Sequence, residues 1–388
     1  MNGKQRIYLD HSATTPTDPR VVEAMAPYWS TVFGNSESLH TFGREADEAL
    51  EQARREVAAI LGCQEDEVVF TASGTEADNL ALRGVAWAAR RDGRGNHIVS
   101  TPIEHGAVKN TVAQLRDLFG FEVTLVPVDE FGRVSPDDVA AAIRPDTVIV
   151  TVMAANNEIG TVEPVAEIGR ICRERGVPFL TDTVQAAGKL PLRVDDLNVD
   201  MLTLSAHKFY GPKGMGLLYV RRGVEMVPAI TGAGQEGGRR PGTANVGGAV
   251  GLATALRLAE EEREAEAARL TVLRDRLIAG VLAQIPDARL TGHPQERLCH
   301  HASFVFRGVA GSAVVRALSD EGIATSAGAA CAKGEGEPQS VLGAIGLSGE
   351  WGLGGLRLTL GHSTGPEEIE RVLEVLPPIV ARLRSSTR

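Results

Sequence analysis

Met201-Leu202-Thr203-Leu204-Ser205-Ala206-His207-Lys208-Phe209-Tyr210-Gly211-Pro212-Lys213-Gly214 is a short apolar run that opens into a polar, glycine-bearing turn. The run from Met201 to Leu204 reads as a buried strand. A lysine at the exit of such a strand stands where α/β proteins hold ligands. Partial burial disfavours the ammonium form, and the neutral amine is a nucleophile toward a carbonyl. Ser205 and His207 flank Lys208 with donors suited to a phosphate. Taken alone, Lys208 is better explained as a surface lysine. Its surroundings decide the matter.

On either side of this stretch, short apolar runs alternate with amphipathic segments. The runs include Val68-Val69-Phe70, His97-Ile98-Val99-Ser100, Val123-Thr124-Leu125-Val126, Val148-Ile149-Val150-Thr151-Val152 and Phe179-Leu180-Thr181. Helices are expected over residues 76–90 and 165–175, the second stopped by Gly176 and Pro178. Such alternation predicts an α/β fold with a mostly parallel sheet covered by helices. A long helix is expected over residues 246–282, with Leu270, Leu273, Leu277 and Val281 on one face. Beyond it come a single alternating strand, Ala302 to Phe306, short helices and loops. A last helix follows, opening at Thr364-Gly365-Pro366-Glu367 with capping-box spacing. We expect a large domain over residues 12–260. Residues 1–11 and 261–388 are expected to form a smaller α+β domain.

The chain has 388 residues, 43% hydrophobic and 23% charged, with a net charge of -10. That is a globular composition, and its acidity argues against nucleic-acid or anionic-membrane partners. No apolar h-region follows the N-terminus, and no run approaches the roughly 20 residues of a membrane span. Cys63, Cys172, Cys299 and Cys331 are far apart, which suits free thiols in a reducing cytoplasm. Cys172 reads as a core residue and Cys63 as the cap of a short helix. Cys299 adjoins His300 and His301 without a third ligand at suitable spacing, so no metal is expected.

Four more segments carry candidate chemistry. Ser73-Gly74-Thr75-Glu76-Ala77-Asp78 follows a strand, and Thr75 and Asp78 have capping-box spacing. Free N–H groups at such a helix start suit a phosphate. Asp182 ends a strand in Asp182-Thr183-Val184-Gln185, where a buried acid needs a cationic or hydrogen-bonded partner. His105, in Ile103-Glu104-His105, can stack on a ring and move protons near neutral pH. Asn156-Asn157-Glu158-Ile159-Gly160 reads in isolation as a loop. Together, five strand ends bring Thr75, His105, Asn157, Asp182 and Lys208 to one side of one sheet.

These segments resemble the pyridoxal-phosphate enzymes of the class V aminotransferase type, in particular the cysteine desulfurases. The resemblance extends over nearly the whole chain. It includes Tyr8-Leu9-Asp10-His11-Ser12-Ala13-Thr14-Thr15-Pro16, Arg240-Pro241-Gly242-Thr243, the run from Ser326 to Cys331, and Arg357-Leu358-Thr359-Leu360-Gly361. It implies an aminotransferase-like large domain with a seven-stranded sheet, and pyridoxal 5'-phosphate bound covalently by Lys208. Asp182 would pair with the ring nitrogen, His105 would stack on the ring and shuttle protons, and Gln185 and Asn157 would bond near the ring oxygen. Gly74, Thr75, Ser205 and His207 would hold the phosphate, with Thr243 reaching in from a second copy of a homodimer. Arg357, helped by Asn35, would grip the substrate carboxylate.

Ser326-Ala327-Gly328-Ala329-Ala330-Cys331-Ala332-Lys333-Gly334-Glu335-Gly336 reads as a mobile loop, with Lys333 favouring the thiolate. Cys331 matches the nucleophile of desulfurases with a flexible loop. The resemblance therefore implies conversion of L-cysteine to L-alanine. A persulfide would be left on Cys331 for an acceptor such as an iron-sulfur scaffold protein. The alternatives are a selenocysteine lyase or aminotransferase of the same fold, or a non-catalytic scaffold. The last is disfavoured by the joint presence of Lys208, Asp182, His105 and Cys331.

Overall fold

The computed structural model of the chain describes residues 6–327 and 340–386. Its central sheet is built from β2 (Val68–Thr71), β3 (His97–Ser100), β4 (Glu122–Leu125), β5 (Thr147–Thr151), β6 (Phe179–Asp182), β7 (Met201–Ser205) and β8 (Gly216–Val220), following a short β1 (Ile7–Tyr8). The strand order is β2-β8-β7-β6-β5-β3-β4. All pairs are parallel except β2/β8 and β7/β8. Six strands thus share one direction and β8 alone is reversed. The cause is local, since only the ten residues 206–215 join β7 to β8, whereas parallel neighbours need a crossover of a dozen or more residues.

Those crossovers include α3 (Gly74–Arg91), α4 (Gly106–Phe119), α5 (Pro136–Ala142) and α6 (Val165–Arg175), preceded in the chain by α1 (Pro19–Met25) and α2 (Thr41–Leu61). Val69, Met201, Leu218 and Val220 pack with the apolar faces of α3 and α4. Their alternates Phe70, Leu202, Leu204, Leu217 and Tyr219 pack with α2, α6 and α7 (Val246–Gln284). Burial on both faces explains why these strands read as unbroken apolar runs.

By length, α7's 39 residues span about 58 Å. Its first part joins the large core through Ala249, Leu252 and Leu256. Leu270, Leu273, Leu277 and Val281 belong to a second core. That core lies on an antiparallel sheet of β9 (Ala288–Leu290), β10 (His301–Phe306) and β12 (Gly355–Thr359). It also takes in residues of α8 (Gly311–Asp320) and α10 (Pro366–Ser386), which flank the short α9 (Val341–Ala344). Ile7 and Leu9 join it, because β1 pairs in parallel with β11 (Ile323–Ala324). The single alternating strand expected at Ala302 to Phe306 is instead the central strand of three, and all six residues of β10 are buried.

Three local expectations are corrected. The cap of α3 is Ser73, whose Oγ accepts from Glu76 N at 3.1 Å, so Thr75 and Asp78 form no capping box. At α10, Glu368 rather than Glu367 reaches back, accepting from Gly365 N at 2.9 Å. Cys63 follows a 21-residue helix, not a short one, closed by Gly62 in the left-handed region at φ 71°.

Candidate functional site

Lys208 closes a 3-10 turn (Ala206–Lys208) at the carboxyl end of β7. Its Nζ donates to Ser12 O at 2.6 Å and Ala13 O at 2.8 Å. Burial, reinforced by the charges of Arg357 and Lys189 and opposed by Asp182, lowers its pKa from 10.5 to about 8. The free amine is the reactive form, so reactivity rises as pH climbs through that value. In chain stripped of any bound aldehyde, adduct formation at Lys208 with a carbonyl reagent should level off above about pH 8. Borohydride trapping and peptide mass across a pH series would measure it. A yield still climbing near pH 10 would mean an ordinary exposed lysine.

Asp182 ends β6 on the neighbouring strand, is 5% exposed, and accepts from Val184 N at 2.9 Å. His105 caps α4, its Nδ1 accepting from Ala107 N at 3.1 Å, so the neutral ring carries its proton on Nε2. Asp78 enters from α3, and its ligand atom lies within 4.8 Å of those of Asp182 and His105. Glu104 is buried beside them. Its Oε1 accepts from Thr101 Oγ1 and Met153 N, and its Oε2 has no partner among the described residues. Desolvation raises the pKa of all three carboxyls, Glu104 to about 8. A dry, acid-rich pocket of this kind suits a cation, either a metal ion or a protonated ring nitrogen.

Facing it is the segment after β1. Tyr8 Oη donates to Asp10 O and Thr14 O, fixing a turn whose carbonyls hold Lys208. Ser12 O also accepts from Gln185 Nε2 at 3.0 Å. The Nδ1 of His207 lies 3.0 Å from Thr14 Oγ1. The Asp10 carboxylate accepts from Arg357 Nη2 at 2.8 Å, and Asn157 O accepts from Nη1 at 2.8 Å. Arg357 Nε is buried without a partner among the described residues, which leaves one edge of the fork for another carboxylate. Asn156, rather than Asn157, shapes its loop, accepting from the N–H groups of Glu158 and Ile159.

At the start of α3, a Cβ on Gly74 would lie 2.9 Å from Val184 Cγ2 and 3.2 Å from Ser205 Cβ. Only glycine leaves that cradle open. Thr75 is exposed. Neither its hydroxyl nor that of Ser205 is committed to a neighbour among the described residues. Thr243 is exposed and lines a cavity with Phe70, Ala72 and Arg240, on the outer side of β2. Asn35 is also exposed, its Oδ1 accepting from Glu37 N, and among the described residues no hydrogen bond joins it to Arg357. Cys331 lies outside the described residues.

Sequence reading passed over Asp10, Ser12, Asp78 and Glu104. An acid beside Ala77 on the buried face of α3 was a visible signal for Asp78, and a strand-end acid for Glu104. Nothing in local sequence pairs Asp10 with a residue 347 positions away.

A family model described as aminotransferase class-V matches residues 7–372. The cysteine desulfurase IscS of Methanosarcina thermophila is 47% identical over 379 residues, covering 98% of this chain and 93% of that one. That of Clostridium botulinum strain Hall is 45% identical, covering 98% and 96%. Among solved structures, a NifS-like protein matches with a TM-score of 0.91 and 37% identity, over 98% of this chain and 100% of its own. SspA in complex with cysteine matches at 0.80 and 36%, over 92% and 99%.

Proposed function

The chain belongs to the class-V aminotransferase family and is a cysteine desulfurase. From that premise we propose that it binds pyridoxal 5'-phosphate at the end of β7 and converts L-cysteine to L-alanine, leaving a persulfide on Cys331. The observation that carries the reading is the convergence of the Lys208 amine, the acid pocket of Asp182 and the half-open fork of Arg357. When bound, pyridoxal phosphate supplies an aldehyde that captures an amino group and a protonated ring that withdraws electrons from the adjoining carbon.

The residues fit that group. Asp182 offers a buried carboxylate to the ring nitrogen, and His105 stands beside it. Gly74, Thr75, Ser205 and His207 border a helix N-terminus suited to the phosphate. Gln185 and Asn157 would stand near the ring oxygen. Thr243, exposed on its own protomer, is read as reaching the phosphate of a second copy in a homodimer. We read residues 12–260 as one domain, and residues 1–11 with 261–388 as the other, on the strength of the two cores that α7 joins.

Arg357, oriented by Asp10 and Asn157 O, receives the substrate carboxylate on its free edge, and Asn35 assists. Lys208 Nζ and His105 Nε2 carry protons to and from the substrate. The Cys331 thiolate attacks the substrate sulfur. An S–S bond forms as the substrate C–S bond breaks, and the electron pair stays with carbon. A proton from Lys208 or His105 then completes L-alanine. The sulfane sulfur passes to an acceptor protein, such as an iron-sulfur scaffold, in the cytoplasm. Among the described residues no helix is long and apolar enough to cross a membrane.

The test is incubation with L-cysteine, followed by alanine assay and mass of the Cys331 peptide with and without candidate acceptors. The peptide should gain one sulfur and lose it to the true acceptor. A protein that stays colourless with added cofactor would sink the reading. Arg357→Lys replaces a two-pronged donor with a point charge. It should raise KM for cysteine about tenfold to a hundredfold with a smaller change in kcat. An unchanged KM would remove Arg357 from carboxylate binding.

A further inference from the structure

Asp78 is not used by the mechanism above, yet it is 1% exposed and its carboxyl lies within reach of Asp182 and His105. Thr203 Oγ1 donates to its Oδ1 at 2.7 Å. Thr203 is also the register partner of Asp182 across β6 and β7. One hydroxyl therefore ties α3 to the two strands whose ends carry Asp182 and Lys208. Resting on the reading that Asp182 faces a protonated ring nitrogen, we propose that Asp78 is a positioning residue, a neutral carboxylic acid held by Thr203 that confines the negative charge of the pocket to Asp182.

The groups facing Asp78 are Asp182 from β6, Glu104 and His105 from the β3–α4 connection, and Thr203 from β7, with Lys208 beyond Asp182. No lysine or arginine pairs with Asp78 among the described residues. Two carboxyls this close in a dry site do not both ionise. Asp182 has His105, Lys208 and the Val184 N–H to stabilise its charge, whereas the stabilising partner of Asp78 among the described residues is the Thr203 hydroxyl. The proton therefore resides on Asp78, and Oδ2 carries it because Oδ1 accepts from Thr203. An ionised Asp78 would push Asp182 toward protonation and weaken its hold on a ring nitrogen. Burial and the Asp182 charge both raise the Asp78 pKa well above its ordinary value.

Two measurements on the full chain test this. The first is cofactor uptake, read by titration, together with the pH dependence of the visible band. Asp78→Ala and Thr203→Val should each weaken uptake by about tenfold and shift the band's titration, because the neutral acid that faces Asp182 is removed or loses the hydroxyl that holds it. Asp78→Asn, neutral and still an acceptor for Thr203, should recover uptake to within about threefold of the native chain. An Asn variant as weak as the Ala variant would mean Asp78 works as an anion and would overturn the proposal. An Ala variant equal to the native chain would overturn it as well, while leaving the desulfurase reading intact.

The second is thermal unfolding of the cofactor-free chain against pH, native compared with Asp78→Asn. A carboxyl with a raised native pKa loses stability for the fold as pH rises from about 4, where the unfolded chain releases its proton. The Asn variant should therefore gain on the native chain by a few degrees as pH rises above about 4. A difference independent of pH would mean no trapped proton. If the Ala variant does not fold, the Asn and Thr203→Val variants carry the test. A native chain that takes up no cofactor would fail the reading this rests on, and the pH series would still decide the protonation of Asp78.

Discussion

Lys208→Ala should end borohydride-stable attachment of the cofactor and lower alanine formation by about a thousandfold or more. The variant keeps Asp182, the α3 N-terminus and Gln185, so it should still take up cofactor without a covalent bond. Its absorbance should be that of the free aldehyde. The fold should tolerate the change. Among the described residues the amine donates to Ser12 O and Ala13 O alone. The segment is pinned independently by Ser12 N to Thr359 Oγ1, Thr15 N to His207 O and Gln185 Nε2 to Ser12 O. Losing one donor from partly exposed carbonyls is an effect of about 1–3 kcal/mol. Unchanged melting beside lost turnover would place the defect in chemistry. A variant that still binds cofactor irreversibly on borohydride treatment would remove Lys208 from the role.

Cys331→Ser should leave the cofactor and substrate binding in place and reduce sulfur transfer about as severely. A serine hydroxyl is not ionised near neutral pH, whereas a thiolate is both ionisable and soft toward sulfur. The other cysteines cannot substitute. Burial pushes the thiols of Cys63 and Cys172 up to about 12 and raises that of Cys299. Cys172 is fully buried on α6. Alanine and sulfide assays on the variant decide the outcome. Sulfide release at the native rate would end the thiol role and favour lyase chemistry on the same fold.

Much of the site was legible because strand ends are legible. The bounds of α6 follow from an apolar stripe, a left-handed Gly176 and Pro178, all local signals. Lys208, Asp182, His105 and Asn157 each follow an apolar run, and parallel strands send such residues to one side. The start of α3 was misread by two residues because Ser73 and Thr75 are both competent caps with an acid three positions on. Packing chose Ser73, which freed Asp78 for the core. The place of β8 was not legible. Nothing in Gly216-Leu217-Leu218-Tyr219-Val220 tells which two strands it will separate.

By itself the sequence determined the alternation of strands and helices, and it singled out the lysine proposed to hold the cofactor, the strand-end acid and the cysteine proposed to take the sulfur. These depend on period and on residue chemistry, both local properties. Tertiary structure alone decided that Asp10 meets Arg357, that the Ser12 and Ala13 carbonyls hold Lys208, and that Asp78, Glu104 and Asp182 share one dry pocket. Those contacts join residues from 26 to 347 positions apart through strand order and helix docking. They set which carboxyls keep their protons, because desolvation and neighbouring charge are properties of the assembled pocket and not of any residue in the chain.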